Sequence, residues 1–70
     1  MITQEDIKKV VKKVYGTEDL KLKCSDSPFG KLCVSTDASR PLICVINDFN
    51  GKKMALCKTD KDGKTIEIQL

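Results

Sequence analysis

Ile43-Cys44-Val45-Ile46-Asn47-Asp48-Phe49-Asn50-Gly51-Lys52-Lys53-Met54-Ala55-Leu56-Cys57-Lys58 is the stretch that decides the fold of this 70-residue chain. Two apolar runs flank Asn50-Gly51, a dipeptide that supplies the positive φ needed at both central residues of a type I′ turn. The stretch therefore predicts a β-hairpin. If it closes symmetrically, paired residues share an index sum of 101, and Cys44 faces Cys57.

The same reading extends in both directions. Apolar runs at about 20–25, 31–36, 41–47, 53–58 and 64–70 are separated by turn signals. These are Ser27-Pro28-Phe29-Gly30, Asp37-Ala38-Ser39-Arg40, Asn50-Gly51 and Asp60-Lys61-Asp62-Gly63. Short loops make consecutive strands antiparallel neighbours. A turn centred on Pro28-Phe29 gives an index sum of 57 and sets Cys24 opposite Cys33; a loop centred on Ala38-Ser39 gives 77 and sets Cys33 opposite Cys44. The four cysteines then form one row across the sheet. A bulge at Gly30, Gly51 or Gly63 would break that row by shifting the pairing one residue.

Before the strands the period changes. Ile7, Val10, Val11 and Val14 follow the i, i+3, i+4, i+7 spacing of a helical stripe, predicting a helix over about 4–15. Thr3 and Asp6 fit an N-cap with a capping box, Ile2 and Ile7 a hydrophobic staple, and Gly16 the C-terminal cap. Glu5 and Lys9 stand at i, i+4 spacing. Three of the four stripe residues are valines, which are mediocre helix formers, so the helix needs a sheet to lie on. The fold class is α+β: a single domain over 1–70, with one N-terminal helix packed on one face of a four- to five-stranded antiparallel β-meander.

Alternation assigns the faces. The cysteine row would share its face with Leu22, Leu42, Ile46, Ala55, Ile66, Ile68 and Leu70. The other face would carry Leu32, Val34, Ile43, Val45, Met54 and Leu56, flanked by Lys21, Lys23, Glu67 and Gln69. A helix of some twelve residues covers one face only. The second apolar band is thus the candidate protein-binding surface, for self-association as a homodimer or for another protein.

The cysteines admit several readings. A row of four spans roughly 14 Å, whereas a zinc ion holds its thiolates at about 2.3 Å, so no metal is expected. Cross-strand disulfides are conceivable between opposed residues. No secretory leader is evident in the first residues, which favours a cytoplasmic protein with free cysteines serving as small core residues. No histidine is present to activate a thiol, no glycine-rich phosphate loop occurs, and no cofactor motif is found, which argues against an enzyme. No apolar run approaches the ~20 residues of a membrane span.

The charge balance is 13 basic to 10 acidic residues, a mild net +3. Lys8, Lys9, Lys12, Lys13, Lys52 and Lys53 form the alternative site, a nucleic-acid surface. A single arginine, Arg40, and three aromatic residues make it the less favoured reading. A thiol redox function ranks third. In size and style such a small lysine- and isoleucine-rich chain resembles phage or mobile-element accessory proteins that inhibit or redirect a host factor. The expected function is that of a small non-catalytic protein-binding module.

Overall fold

A computed structural model describes all 70 residues: helix α1 (Gln4–Tyr15), then β1 (Leu22–Ser27), β2 (Gly30–Ser35), β3 (Ile43–Phe49), β4 (Lys52–Lys58) and β5 (Ile66–Gln69). The strands form one antiparallel sheet in sequence order, so the meander is five-stranded, with β1 and β5 at its edges.

The ends of α1 are those its caps dictate. Thr3 accepts the amide of Asp6 through its hydroxyl, and Asp6 accepts the amide of Thr3 in return. Gly16 closes the helix with its N–H on the Lys12 carbonyl. Ile7, Val10 and Val11 are buried, while Ile2 and Val14 pack against the core from the helix ends. One surface pairing differs from expectation. Glu5 reaches Lys8 at 3.7 Å, the i, i+3 neighbour, instead of Lys9; both positions are close enough on a helix for long side chains to choose.

The register is unbulged in the three hairpins that carry cysteines. Cys24 lies opposite Cys33, Cys33 opposite Cys44, and Cys44 opposite Cys57. Asn50 and Gly51 both have positive φ, 52° and 84°, as the type I′ turn requires. Strand ends shift by one or two residues. β1 starts at Leu22 because Leu20 leaves the ladder and is buried from the connector, 5% exposed. β5 starts at Ile66, whose ladder partner is Cys57, near the end of β4.

Of the four glycines, Gly30 is the most tightly enclosed. Its φ is 127°, and a Cβ there would stand 2.6 Å from the Ile46 carbonyl oxygen and 2.3 Å from Asn47 Oδ1. Gly30→Ala is therefore expected to cost about 2 kcal/mol or more in a urea titration, since strained φ and overlap add. An unchanged midpoint would show that the β1–β2 turn relaxes freely.

The expectation of free cysteines is overturned. Cys24 is bonded to Cys33 and Cys44 to Cys57, each pair with Cα atoms 4.1 Å apart, and no free cysteine remains. The physical reason lies in the ladder. In an antiparallel sheet a residue points both backbone groups at the same neighbour, so close non-hydrogen-bonded pairs alternate with wide hydrogen-bonded ones. Ser35 N–H bonds the Leu42 carbonyl, and Leu70 N–H bonds the Lys53 carbonyl. Counting by twos along the strands makes Cys33/Cys44 and Cys57/Ile66 wide pairs, and Cys24/Cys33 and Cys44/Cys57 close ones. The two close pairs are the bonded ones.

Around this row the core assembles Ile7, Val10 and Val11 of α1 with Leu20, Leu42, Ile46, Ala55, Ile68 and the half-cystines Cys33, Cys44 and Cys57. Leu22, Cys24 and Leu70 pack at its margin. Ile66 shares the inner face by alternation yet stays 37% exposed at the β5 edge.

Two polar clamps join elements distant in sequence. Lys53 Nζ donates to Asp6 Oδ2 at 2.8 Å, tying β4 to the helix N-terminus. Arg40 reaches Asp19 at 2.6 Å and Asp37 at 2.9 Å, tying the α1–β1 connector to the β2–β3 loop. These bonds hold the Asp19 carboxyl below its ordinary range, mainly through Arg40. Asp37 is lowered to about 2, first by the Ser39 hydroxyl and amide and then by Arg40. At the hairpin end, Asp48 is lowered by the Met1 ammonium group.

Candidate protein-binding face

The sheet face away from α1 is built by alternation along five strands. One row runs Lys23, Val34, Ile43, Lys58. The next runs Ser25, Leu32, Val45, Leu56, Glu67, and a third pairs Asn47 with Met54 and Gln69. All six residues of the candidate protein-binding set thus meet on one face. Within it Ile43 is 48% exposed, Leu56 38% and Val34 37%, and Leu32, Val45 and Met54 are half-buried between them. These values decide the character of the surface: β-branched and leucine side chains at the centre of a sheet stay in contact with water.

Parity adds residues that the apolar-run reading passed over. Phe49, 75% exposed, follows Ile43, Val45 and Asn47 on the same face and extends the patch to the Asn50-Gly51 turn. Its adjacency to that turn hid it in a reading that stopped the strand at residue 47. Lys58 also belongs here, facing Ile43 across the ladder, while Lys21 precedes β1. A shallow depression of about 280 Å³ lies where Ile43, Val45 and Leu56 meet Asp60, Lys61 and Thr65 of the β4–β5 loop.

The six lysines of the alternative site are not brought together. Lys8, Lys9, Lys12 and Lys13 are exposed on α1, on the opposite side of the molecule from the apolar patch. Lys52 opens β4 beside Phe49, and Lys53 is engaged by Asp6. Arg40, the sole arginine, is likewise taken by two carboxylates. Its guanidinium is occupied by the planar pairing that phosphate would need.

The sheet behind the apolar face is cross-linked. The disulfides cross-link β1 to β2 and β3 to β4 directly behind the apolar rows. A docking surface held this way loses little conformational freedom when a partner covers it. Compared with protein families, with curated proteins and with solved structures, the chain matches none.

Proposed function

We propose that this protein is a non-catalytic binding module that docks onto another polypeptide through the outer face of its sheet. The observation that carries the reading is the contiguous apolar band Leu32, Val34, Ile43, Val45, Met54 and Leu56, left uncovered while the other face packs under α1. Covering such a band removes apolar area from water, worth about 25 cal/mol per Å² before the costs of association. All four thiols are bonded to one another, so none serves as a nucleophile in this form. The two disulfides favour an oxidising setting over the cytosol, where thiols are kept reduced.

The test compares immobilised wild type, Val45→Glu and the paired Lys12→Glu/Lys13→Glu variant in one lysate. Capture of a polypeptide that Val45→Glu abolishes and the helix variant leaves intact is expected. Salt-sensitive retention of nucleic acid that depends on Lys12 and Lys13, with no capture that depends on Val45, would overturn the reading in favour of the lysine surface.

A further inference from the structure

We infer that the two disulfides have different roles: Cys24–Cys33 is a reducible latch on edge strand β1, and Cys44–Cys57 is the permanent tie of the core. Exchange with a dithiol in solution opens the latch at Cys24 and frees residues 21–29 as a flap, in a protein that otherwise stays folded. Such a latch works whatever the outer face of the sheet binds.

Access decides which bond opens. An attacking thiolate approaches a disulfide sulfur from the side opposite the leaving sulfur, and exchange rates follow that access. The row runs Cys24, Cys33, Cys44, Cys57 and Ile66 from β1 to β5. Attack on Cys33 would have to come from Cys44, on Cys44 from Cys33, and on Cys57 from Ile66, all inside the sheet. Cys24 alone has no strand beyond it, and it is half-buried where the other three are at most 1% exposed. The dithiol's thiolate therefore bonds to Cys24 Sγ and breaks its bond to Cys33, which leaves as a thiolate. The reagent's second sulfur, also as a thiolate, then closes on the first, and Cys24 leaves in turn. Two electrons pass to the protein, the reagent becomes a cyclic disulfide, and Cys24 and Cys33 take up the two protons its thiols gave up.

Little else holds β1. None of its six residues is fully buried: Leu22, Cys24 and Ser27 are half-buried and the rest exposed. Its ion pair, Asp26 with Lys31 at 3.5 Å, has an aspartate 92% exposed and contributes little. By contrast β3 and β4 bury Cys44, Ile46, Ala55 and Cys57, each strand flanked on both sides. The loosened segment has defined ends. Before it, Leu20 sits in the core and Asp19 is held by Arg40 at 2.6 Å. After it, β2 remains paired with β3 from Lys31 to Val34. Cys24/Cys33 is a close pair, so Lys23/Val34 and Ser25/Leu32 are the wide pairs that share hydrogen bonds. Opening the latch strips these partners from Leu32 and Val34 and turns β2 into an edge strand.

The wild-type chain itself carries the test. Native protein is titrated with dithiothreitol, quenched with acid, alkylated and mapped by mass spectrometry. A folded species with Cys24 and Cys33 alkylated and Cys44–Cys57 intact should accumulate first. In that species hydrogen exchange at the Leu32 and Val34 amides should quicken by about tenfold or more, with Val45 and Leu56 in β3 and β4 unchanged. Glutathione, a monothiol, should leave its mixed disulfide on Cys24 and on none of the other three. Loss of both bonds together, earlier reduction of Cys44–Cys57, or a glutathione adduct on Cys44 or Cys57 overturns the latch. So does a half-reduced protein whose Leu32 and Val34 amides exchange at the oxidised rate, since β1 then stays in place without its bond.

Discussion

Reduction of both disulfides is expected to unfold the protein at room temperature. The bonds close segments with sequence separations of 9 and 13 residues. Loop-closure entropy assigns each about 3 kcal/mol, so the pair contributes about 5–6 kcal/mol. A domain of this size has a total stability of roughly 4–10 kcal/mol, and its core is small for want of chain. Only twelve residues are buried, three of them half-cystines. The two bonds therefore carry a large share of the net stability. Circular dichroism in the presence of a strong dithiol reductant should show the sheet signal collapsing, and removal of reductant in air should restore it. Cys24→Ala/Cys33→Ala and Cys44→Ala/Cys57→Ala isolate the two contributions. The second pair should cost more, since both its sulfurs lie in the core whereas Cys24 is only half-buried at the edge strand. A fully reduced protein with an unchanged melting temperature would mean that the helix and sheet pack well enough without cross-links.

The second large effect is expected at Asp6. The residue is only 6% exposed, and its carboxylate accepts from Lys53 Nζ, from the Thr3 amide and from the Thr3 hydroxyl. The Lys53 bond, followed by the Thr3 amide, holds its pKa at about 2 against an ordinary 3.8. Because the folded value is the lower one, the stabilisation is fully present above about pH 4 and is lost as pH falls toward 2. It amounts to on the order of 2 kcal/mol. Asp6→Ala removes the capping box as well and leaves the Lys53 ammonium unpaired, for a total near 3 kcal/mol at neutral pH. Urea midpoints for wild type and Asp6→Ala should differ most at pH 5–7 and converge on acidification to about pH 2. Asp19, Asp37 and Asp48 are lowered too, so both proteins weaken in acid; the convergence of the two curves is what belongs to Asp6. Parallel curves across that range would remove the Lys53–Asp6 bond as an important tie.

The Lys53–Asp6 tie also marks where sequence patterning stops. Thr3, Asp6 and Gly16 announce the helix ends because a cap involves residues three or four apart. Asn50-Gly51 announces its hairpin because the turn depends on two adjacent φ angles. Lys53, by contrast, reads as one more surface lysine beside Lys52. Its partner lies 47 positions away, and only the docking of α1 across the sheet brings the two together. The same holds for Arg40, a loop residue by composition and a clamp between two connectors in three dimensions.

For the candidate site the division is similar. Which residues share the outer face was legible from turns and alternation, because both are local and the side-chain period in a strand is two. Phe49 escaped that reading because it sits at a strand end, where boundaries shift by a residue or two, and Lys58, inside the expected strand 53–58, because that reading collected apolar residues.

By itself the sequence determined one helix and a four- to five-stranded antiparallel meander in chain order, with four cysteines in a single row on condition that no hairpin bulges. Each of these follows from interactions between residues close along the chain or mirrored about a short turn. Only the tertiary structure decided that the row is two disulfides, Cys24–Cys33 and Cys44–Cys57. Bond formation depends on whether an opposed pair is the close or the wide kind, and that phase is set by where the ladder hydrogen bonds fall across the assembled sheet.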